Sequence, residues 1–384
     1  MKKKKKRKYL PTFYCTLQSF AIVLLTLWMA VPALSREKLY SLPNKKIVLK
    51  QMKNKKKKLY HIYRLLKKHI LPYLPYLELQ PSPHTPQWAK IKEKPRFAFV
   101  QIADLHLWRY RTRRLEIARD YIRKNFQLDF FVFTGDNVSG PDKIAHQTFL
   151  KKFLDQQLGF PYFIIRGDND AIAFEQSFGT SHWSFTYKGI HFIGTALDVD
   201  IDSVGIGFYR HYQWLEKTIR KQTIPTVIFL HQPIYPPTFL DAILLRKLLE
   251  KYPQVRLVVC GHIHYDFEFR RSHILHILAP SLEKHPAHPF KLYLVYSDRI
   301  IIKTYHFENG RYRFSHKWQK VLFPKSLQLP PSVSSQFSPL STPSNSKIQH
   351  VANLPQLLKQ FWNYQQQYRL KKIFSTKKNS QYPK

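Results

Sequence analysis

The chain has 384 residues, with 63 Lys or Arg against 24 Asp or Glu, a formal net charge of +39. At 44% hydrophobic and 15% aromatic it is too apolar for a wholly disordered chain, and 11 Gly and 2 Cys exclude collagen-like and disulfide-scaffold classes. A basic excess of this size is the usual footprint of a nucleic-acid binder, but it sits at the ends: 23 basic and 3 acidic side chains in residues 1–94, 13 and 1 in 304–384, and 27 and 20 in 95–303. The centre reads as an ordinary globular segment that carries chemistry, and the ends as segments that carry location.

Residues 1–35 combine a basic run, Lys2 to Lys8, with the charge-free stretch Leu10 to Leu34, 25 residues long. At about 1.5 Å per residue this crosses about 30 Å of hydrocarbon. It is a signal peptide cut after the small residues Ala33 and Ser35, or an uncleaved transmembrane signal anchor, and its length favours the single-pass anchor. Cations flank both sides, so the positive-inside rule gives no orientation. A basic start leading into an apolar run points to export of the chain beyond it, which sets the catalytic domain on the extracytoplasmic side. Residues 36–94 form a basic juxtamembrane segment and a Pro-rich linker. Ile47, Leu49, Leu59, Ile62, Leu65, Leu66 and Ile70 alternate with lysines there, as in an interfacial helix on an anionic membrane surface or a solvated linker.

Residues 95–310 read as one domain. Apolar runs at 96–102, 130–133, 162–165, 190–194, 227–230 and 257–260 predict strands. Helical spacing occurs between them at 115–126, 144–158, 212–219 and 240–249. Three further strands, 273–278, 291–295 and 300–305, close the domain. Alternating strands and helices predict a largely parallel α/β core with an antiparallel addition. Residues 326–346 are a Ser/Pro linker, and 347–384 a basic amphipathic tail suited to a membrane surface, a partner, or docking on the domain.

The chemistry clusters at strand ends. Asp104 and His106 follow the first strand, Gly135-Asp136-Asn137 the second, and Gly167-Asp168-Asn169-Asp170 the third. His231 follows the strand ending at Leu230, and Gly261-His262-Ile263-His264 the strand ending at Cys260. Open α/β sheets place their sites outside the carboxyl ends of parallel strands. Three carboxylates and four imidazoles gathered there repel and stay unsatisfied unless cations join them. Mixed oxygen and nitrogen donors suit two divalent or mixed-valence ions such as Mn, Fe or Zn.

The order Asp-x-His, Gly-Asp, Gly-Asp-Asn-Asp, His, Gly-His-x-His resembles that of the calcineurin-like metallophosphoesterases across about residues 96–305. Tyr212-Gln213-Trp214-Leu215-Glu216 also resembles that family's stretch before the single-histidine strand. The text Gly135-Asp136-Asn137-Val138-Ser139-Gly140 departs from the serine/threonine protein phosphatase branch. The resemblance implies a four-layer sandwich of two mixed β-sheets flanked by helices. It implies a first metal on Asp104, His106 and His264, a second on Asp168, His231 and His262, and Asp136 bridging both. The implied activity is hydrolysis of a phosphomonoester or phosphodiester by a metal-bridging hydroxide. The family usually has Asn then His where this chain has Asp168 then Asn169. An amide donates a hydrogen bond but is no general acid near neutral pH, and losing acid catalysis typically costs about 100- to 10,000-fold. Arg166, just before the motif, is a candidate phosphate contact or a strand-end cation. The alternative readings are a catalytically weak or inactive binding module of this fold at the membrane, and a basic nucleic-acid-binding protein or nuclease.

Overall fold

The structure, a computed structural model, describes residues 74–329 except 83–85, 87, 89–92, 141, 171–172, 198, 201–206 and 240. The expectations for the N-terminal apolar run, the basic stretch before residue 74, the Ser/Pro linker and the C-terminal tail lie outside the described residues. Among the described residues, no helix is long and apolar enough to cross a membrane.

One six-stranded sheet contains β1 (Phe97–Ile102), β2 (Phe130–Thr134), β3 (Tyr162–Ile165), β12 (Phe290–Val295), β13 (Arg299–Glu308) and β14 (Arg311–Leu322), in the order β14-β13-β12-β1-β2-β3. The other contains β4 (Trp183–Tyr187), β5 (Ile190–Gly194), β8 (Thr226–Phe229), β9 (Val255–His264), β10 (Phe267–Arg271) and β11 (Ile274–Pro280), in the order β10-β11-β9-β8-β5-β4. A small ribbon pairs β6 (Val199–Asp200) with β7 (Gly207–Phe208). Strands β1, β2 and β3 run parallel, as do β5, β8, β9 and β11, and the remaining pairs are antiparallel. Both sheets are therefore mixed.

Strands β1, β2, β3, β5 and β8 are buried along their whole length because both faces of the sheet are covered there. Successive side chains point to opposite faces. Phe97 and Phe99 of β1 join Phe130, Phe192, Phe229, Leu257 and Ile277 between the two sheets. Ala98, Val100 and Ile102 face outward and meet Leu115, Ala118 and Ile122 of α2 (Arg113–Asn125) and Leu150 and Leu154 of α3 (Lys143–Gln157). On the second sheet Ile193, Ile228 and Val258 meet Leu215 and Ile219 of α5 (Tyr212–Arg220) and Leu245 and Leu249 of α6 (Ala242–Glu250). Two short helices, α1 (Leu74–Leu77) and α4 (Ala173–Phe178), complete the set. The result is two mixed sheets face to face with helices outside each, the four layers expected.

A polar thread crosses the apolar interface just below the strand ends. Gln101 Nε2 donates to Thr134 Oγ1 at 2.9 Å and to the Cys260 carbonyl at 3.0 Å. Tyr293 donates to Gln101 Oε1 at 2.6 Å. Thr134 and Cys260 immediately precede Gly135 and Gly261, so this thread fixes the two sheets relative to each other where the candidate ligands begin.

The fold continues past residue 310. Strand β14 went unread in the sequence because its inward positions include Lys317 and Gln319, both buried. Lys317 is 3.1 Å from Glu78, and Gln319 lies beside the fully buried Asp266–Lys291 pair, whose atoms are 2.6 Å apart. The described part of the Pro-rich stretch runs along the domain. Leu79 N donates to Asp266 O and Ser82 N to His316 O, both at 2.7 Å, and Glu93 pairs with Arg299 at 2.8 Å.

Phe99 is fully buried between the sheets, its ring 4.4 Å from Tyr293 and 5.2 Å from Phe130. Phe99→Ala is expected to lower unfolding stability by about 3–5 kcal/mol. Urea titration followed by circular dichroism checks this.

Candidate metal centre

The parallel strands deliver their ends to one edge of the sandwich, and the motif loops interlock there. Asp104 N donates to Gly135 O at 3.2 Å and His106 N to Asp136 O at 2.8 Å. Gly261 N donates to His231 O at 3.1 Å, and His262 N reaches both carboxylate oxygens of Asp104 at 3.0 and 3.1 Å. Two of these loops need glycine for close approach. A Cβ on Gly167 would lie 2.2 Å from Asp136 N, and one on Gly261 would lie 2.4 Å from Asp104 Oδ2.

All seven residues singled out as metal ligands converge in two groups. Asp104, His106, Asp136 and His264 form one, and Asp168, His231 and His262 the other, with the ligand atoms of each within 4.8 Å of one another. Asp136 reaches donors of both: its Oδ2 is 3.6 Å from His106 Nε2 and its Oδ1 is 3.2 Å from His231 Nε2. Within the second group Asp168 Oδ1 lies 2.9 Å from His231 Nε2 and 3.1 Å from His262 Nδ1. In the first, His264 Nε2 lies 3.3 Å from Asp104 Oδ1 and 3.1 Å from His106 Nε2.

The donor set fits cations on three counts. His231 Nδ1 lies 2.8 Å from the Thr134 carbonyl, which only accepts, so this nitrogen carries a proton and Nε2 is the atom turned to the carboxylates, where a bound cation would take the place of a second proton. His106 Nδ1 is similarly occupied by Ser139 Oγ at 2.8 Å, which turns its Nε2 toward that of His264. Two imidazole nitrogens and a carboxylate at these separations call for a proton or a cation between them. Burial raises the carboxyl groups of Asp168 and Asp104, but the neighbouring histidines prevail and hold both below the usual range, Asp168 well below it. Burial likewise disfavours the His231 cation, yet Asp136 and Asp168 hold its pKa well above the ordinary value. The site is thus built to keep its carboxylates ionised. Finally, Asp104, His106, Asp136, His262 and His264 all have positive φ, between 42° and 72°. Each non-glycine residue held there costs on the order of 1–3 kcal/mol, a strain that clusters at functional sites.

Asn169 sits inside the centre. Its backbone N donates to Asp136 Oδ1 at 2.9 Å and its Nδ2 to Asp136 Oδ2 at 2.6 Å. Arg166 directly follows β3. Its guanidinium meets Glu175 at 3.2 Å and the Leu197 carbonyl, and its backbone N donates to Ser181 Oγ at 2.9 Å.

The sequence motif alone assigns no role to Asp170. It is fully buried and accepts from Asn137 N, Asn137 Nδ2, Val138 N, Gln147 Nε2 and Gly167 N at 2.7–3.1 Å. One carboxylate thereby ties the loop bearing Asp136 to the loop bearing Asp168. Burial and the Asp136 charge push it up to about 7. The available signal was an acidic residue closing a Gly-Asp-Asn-Asp turn directly after a buried strand.

Gly261→Ala is expected to displace Asp104 and weaken metal affinity by about 10-fold or more while the chain stays folded. Elemental analysis after dialysis at limiting metal, with circular dichroism on the same sample, checks both halves.

Residues 97–266 match the calcineurin-like phosphoesterase family. The chain is 22% identical over 223 residues to a 3′,5′-cyclic-nucleotide phosphodiesterase of Nostoc sp., which covers 50% of this chain and 80% of that protein. Its fold is similar to that of a dimetal phosphatase from Danio rerio, with a TM-score of 0.50 and 15% identity over 60% of this chain and 100% of that one. It is also similar to GAP50, the anchor in the inner membrane complex of Plasmodium, with a TM-score of 0.45 and 15% identity over 68% and 96% of the two chains. The motif order, the two mixed sheets and the paired donor groups agree with the family match, which makes residues 97–266 a calcineurin-like phosphoesterase domain, the domain of a metal-dependent hydrolase.

Proposed function

We propose that the chain hydrolyses a phosphomonoester or phosphodiester with two divalent ions, one on Asp104, His106 and His264, the other on Asp168, His231 and His262, with Asp136 shared. The observation that carries this reading is Asp136, whose two oxygens face donors of both groups. Two cations held there would lower the pKa of a bound water and polarise the phosphoryl oxygens. The protein's part is to hold seven donors in fixed places. Asp170 locks two of the loops together, and Asn169 orients Asp136 through two hydrogen bonds. The Nostoc relative is a cyclic-nucleotide phosphodiesterase, which makes phosphodiesters the first class to assay.

Asn169 carries no titratable proton to give a leaving group. Substrates with good leaving groups suit such a site. In this reading the domain is tethered by Leu10 to Leu34 and lies on the extracytoplasmic side, supported by the basic run Lys2 to Lys8 ahead of it. Nucleic acid is the weaker partner, because the excess charge belongs to the chain's ends.

With Mn, Fe, Co or Zn supplied, Asp136→Asn and His264→Ala are each expected to lower turnover of bis(p-nitrophenyl) phosphate by about 100-fold or more with the fold retained. The p-nitrophenyl ester should outrun a methyl ester of the same acid by about 100-fold or more, because Asn169 supplies no proton. Absence of turnover with every metal would favour a non-catalytic binding module instead.

A further inference from the structure

The loop that leaves His106 reads Leu107-Trp108-Arg109-Tyr110-Arg111-Thr112-Arg113-Arg114. It hangs on the metal centre: Leu107 N donates to Asn137 O at 3.0 Å and Ser139 N to Leu107 O at 2.9 Å. Arg109 and Tyr110 have φ of 49° and 59°, which continues the left-handed backbone of Asp104 and His106. The loop tip is turned outward. Trp108 is 45% exposed, Tyr110 49%, and Ile144 in the first turn of α3 55%. These are three of the seven large hydrophobic side chains exposed among the described residues, and they lie on adjoining segments, since the Tyr110 ring packs on His146 and Phe149 of α3 and the Trp108 ring lies beside Gly140 just ahead of it. Arg109, Arg111 and Arg113 are exposed beside them, and no acidic residue falls between Asp104 and Glu116.

We propose that this rim docks the domain onto an anionic lipid bilayer. The combination of interfacial aromatics, an aliphatic side chain and arginines is complementary to a negatively charged interface. Single-stranded nucleic acid needs open aromatic faces on which bases stack. Both rings here are already engaged: Arg109 lies 4.3 Å over the Trp108 ring, and the Tyr110 ring meets His146 and Phe149 edgewise, 5.0 Å from each. Ile144 offers a base nothing to stack on, yet suits hydrocarbon.

The test uses the full chain with Cys15→Ser and Ile144→Cys, labelled with an environment-sensitive dye. Cys260 is buried and its thiol is pushed up to about 12 by that burial, so it does not compete for the label. A second chain carries the label at Leu244→Cys, exposed on α6 over the other sheet. Vesicles of phosphatidylcholine with phosphatidylglycerol should blue-shift the dye at 144, with quenching by brominated lipid. The dye at 244 should stay unchanged, and so should both with phosphatidylcholine alone. Replacing Arg109, Arg111 and Arg113 by Ala should abolish the shift. An unchanged dye at 144 on chains that sediment with the vesicles would overturn the proposal, as would equal shifts at both positions. A response to single-stranded oligonucleotide but not to vesicles would assign the rim to nucleic acid. The reading needs neither metal nor turnover, so its failure is distinct from failure to hydrolyse soluble bis(p-nitrophenyl) phosphate.

Discussion

Three carboxylates, Asp104, Asp136 and Asp168, are buried at one edge of the sandwich, and the rest of the structure answers to their charge. Like charges this close in a low-dielectric site are stable only when opposite charge lies among them. The four histidines supply ring nitrogens around them, and backbone N–H groups of His262 and Asn169 supply further hydrogen bonds. Five of the seven side chains sit on backbone that non-glycine residues avoid. The glycines before Asp168 and His262 let the loops approach within a distance that no Cβ permits. Such a site is expensive to fold and is retained when a ligand offsets its cost.

Much of this was legible in the sequence, for physical reasons. Strands covered on both faces read as unbroken apolar runs, so Phe97–Ile102, Phe130–Thr134 and Thr226–Phe229 stood out. Ligands directly follow those runs because parallel strands end at the site, and each motif therefore sat beside a strong strand signal. The features that stayed hidden obey different chemistry. Strand β14 carries Lys317 and Gln319 inward because Glu78, Asp266 and Lys291 form a polar cluster there, and that pairing joins residues far apart in the chain. Asp170 was hidden because its partners come from three separate segments. The outward pose of Trp108 and Tyr110 depends on two positive φ angles that no periodicity announces.

The distribution of charge takes on a second meaning beside the fold. The centre of the chain carries 27 basic and 20 acidic residues, close to balance, yet four of its fifteen arginines fall within the eight residues that follow His106. The segment before β1 is fastened to the domain through Glu78, Leu79, Ser82 and Glu93. That fastening involves Asp266, two residues beyond His264, so the entry of the chain into the domain and the candidate ligand loop share a support.

The central claim is that one carboxylate holds two ions. Anomalous diffraction from crystals of the Mn-loaded chain measures it directly. Two peaks about 3.5–4 Å apart are expected, one beside His264 and one beside His262, with the Asp136 carboxylate touching both. A single peak, or peaks that leave Asp136 uncoordinated, would contradict it.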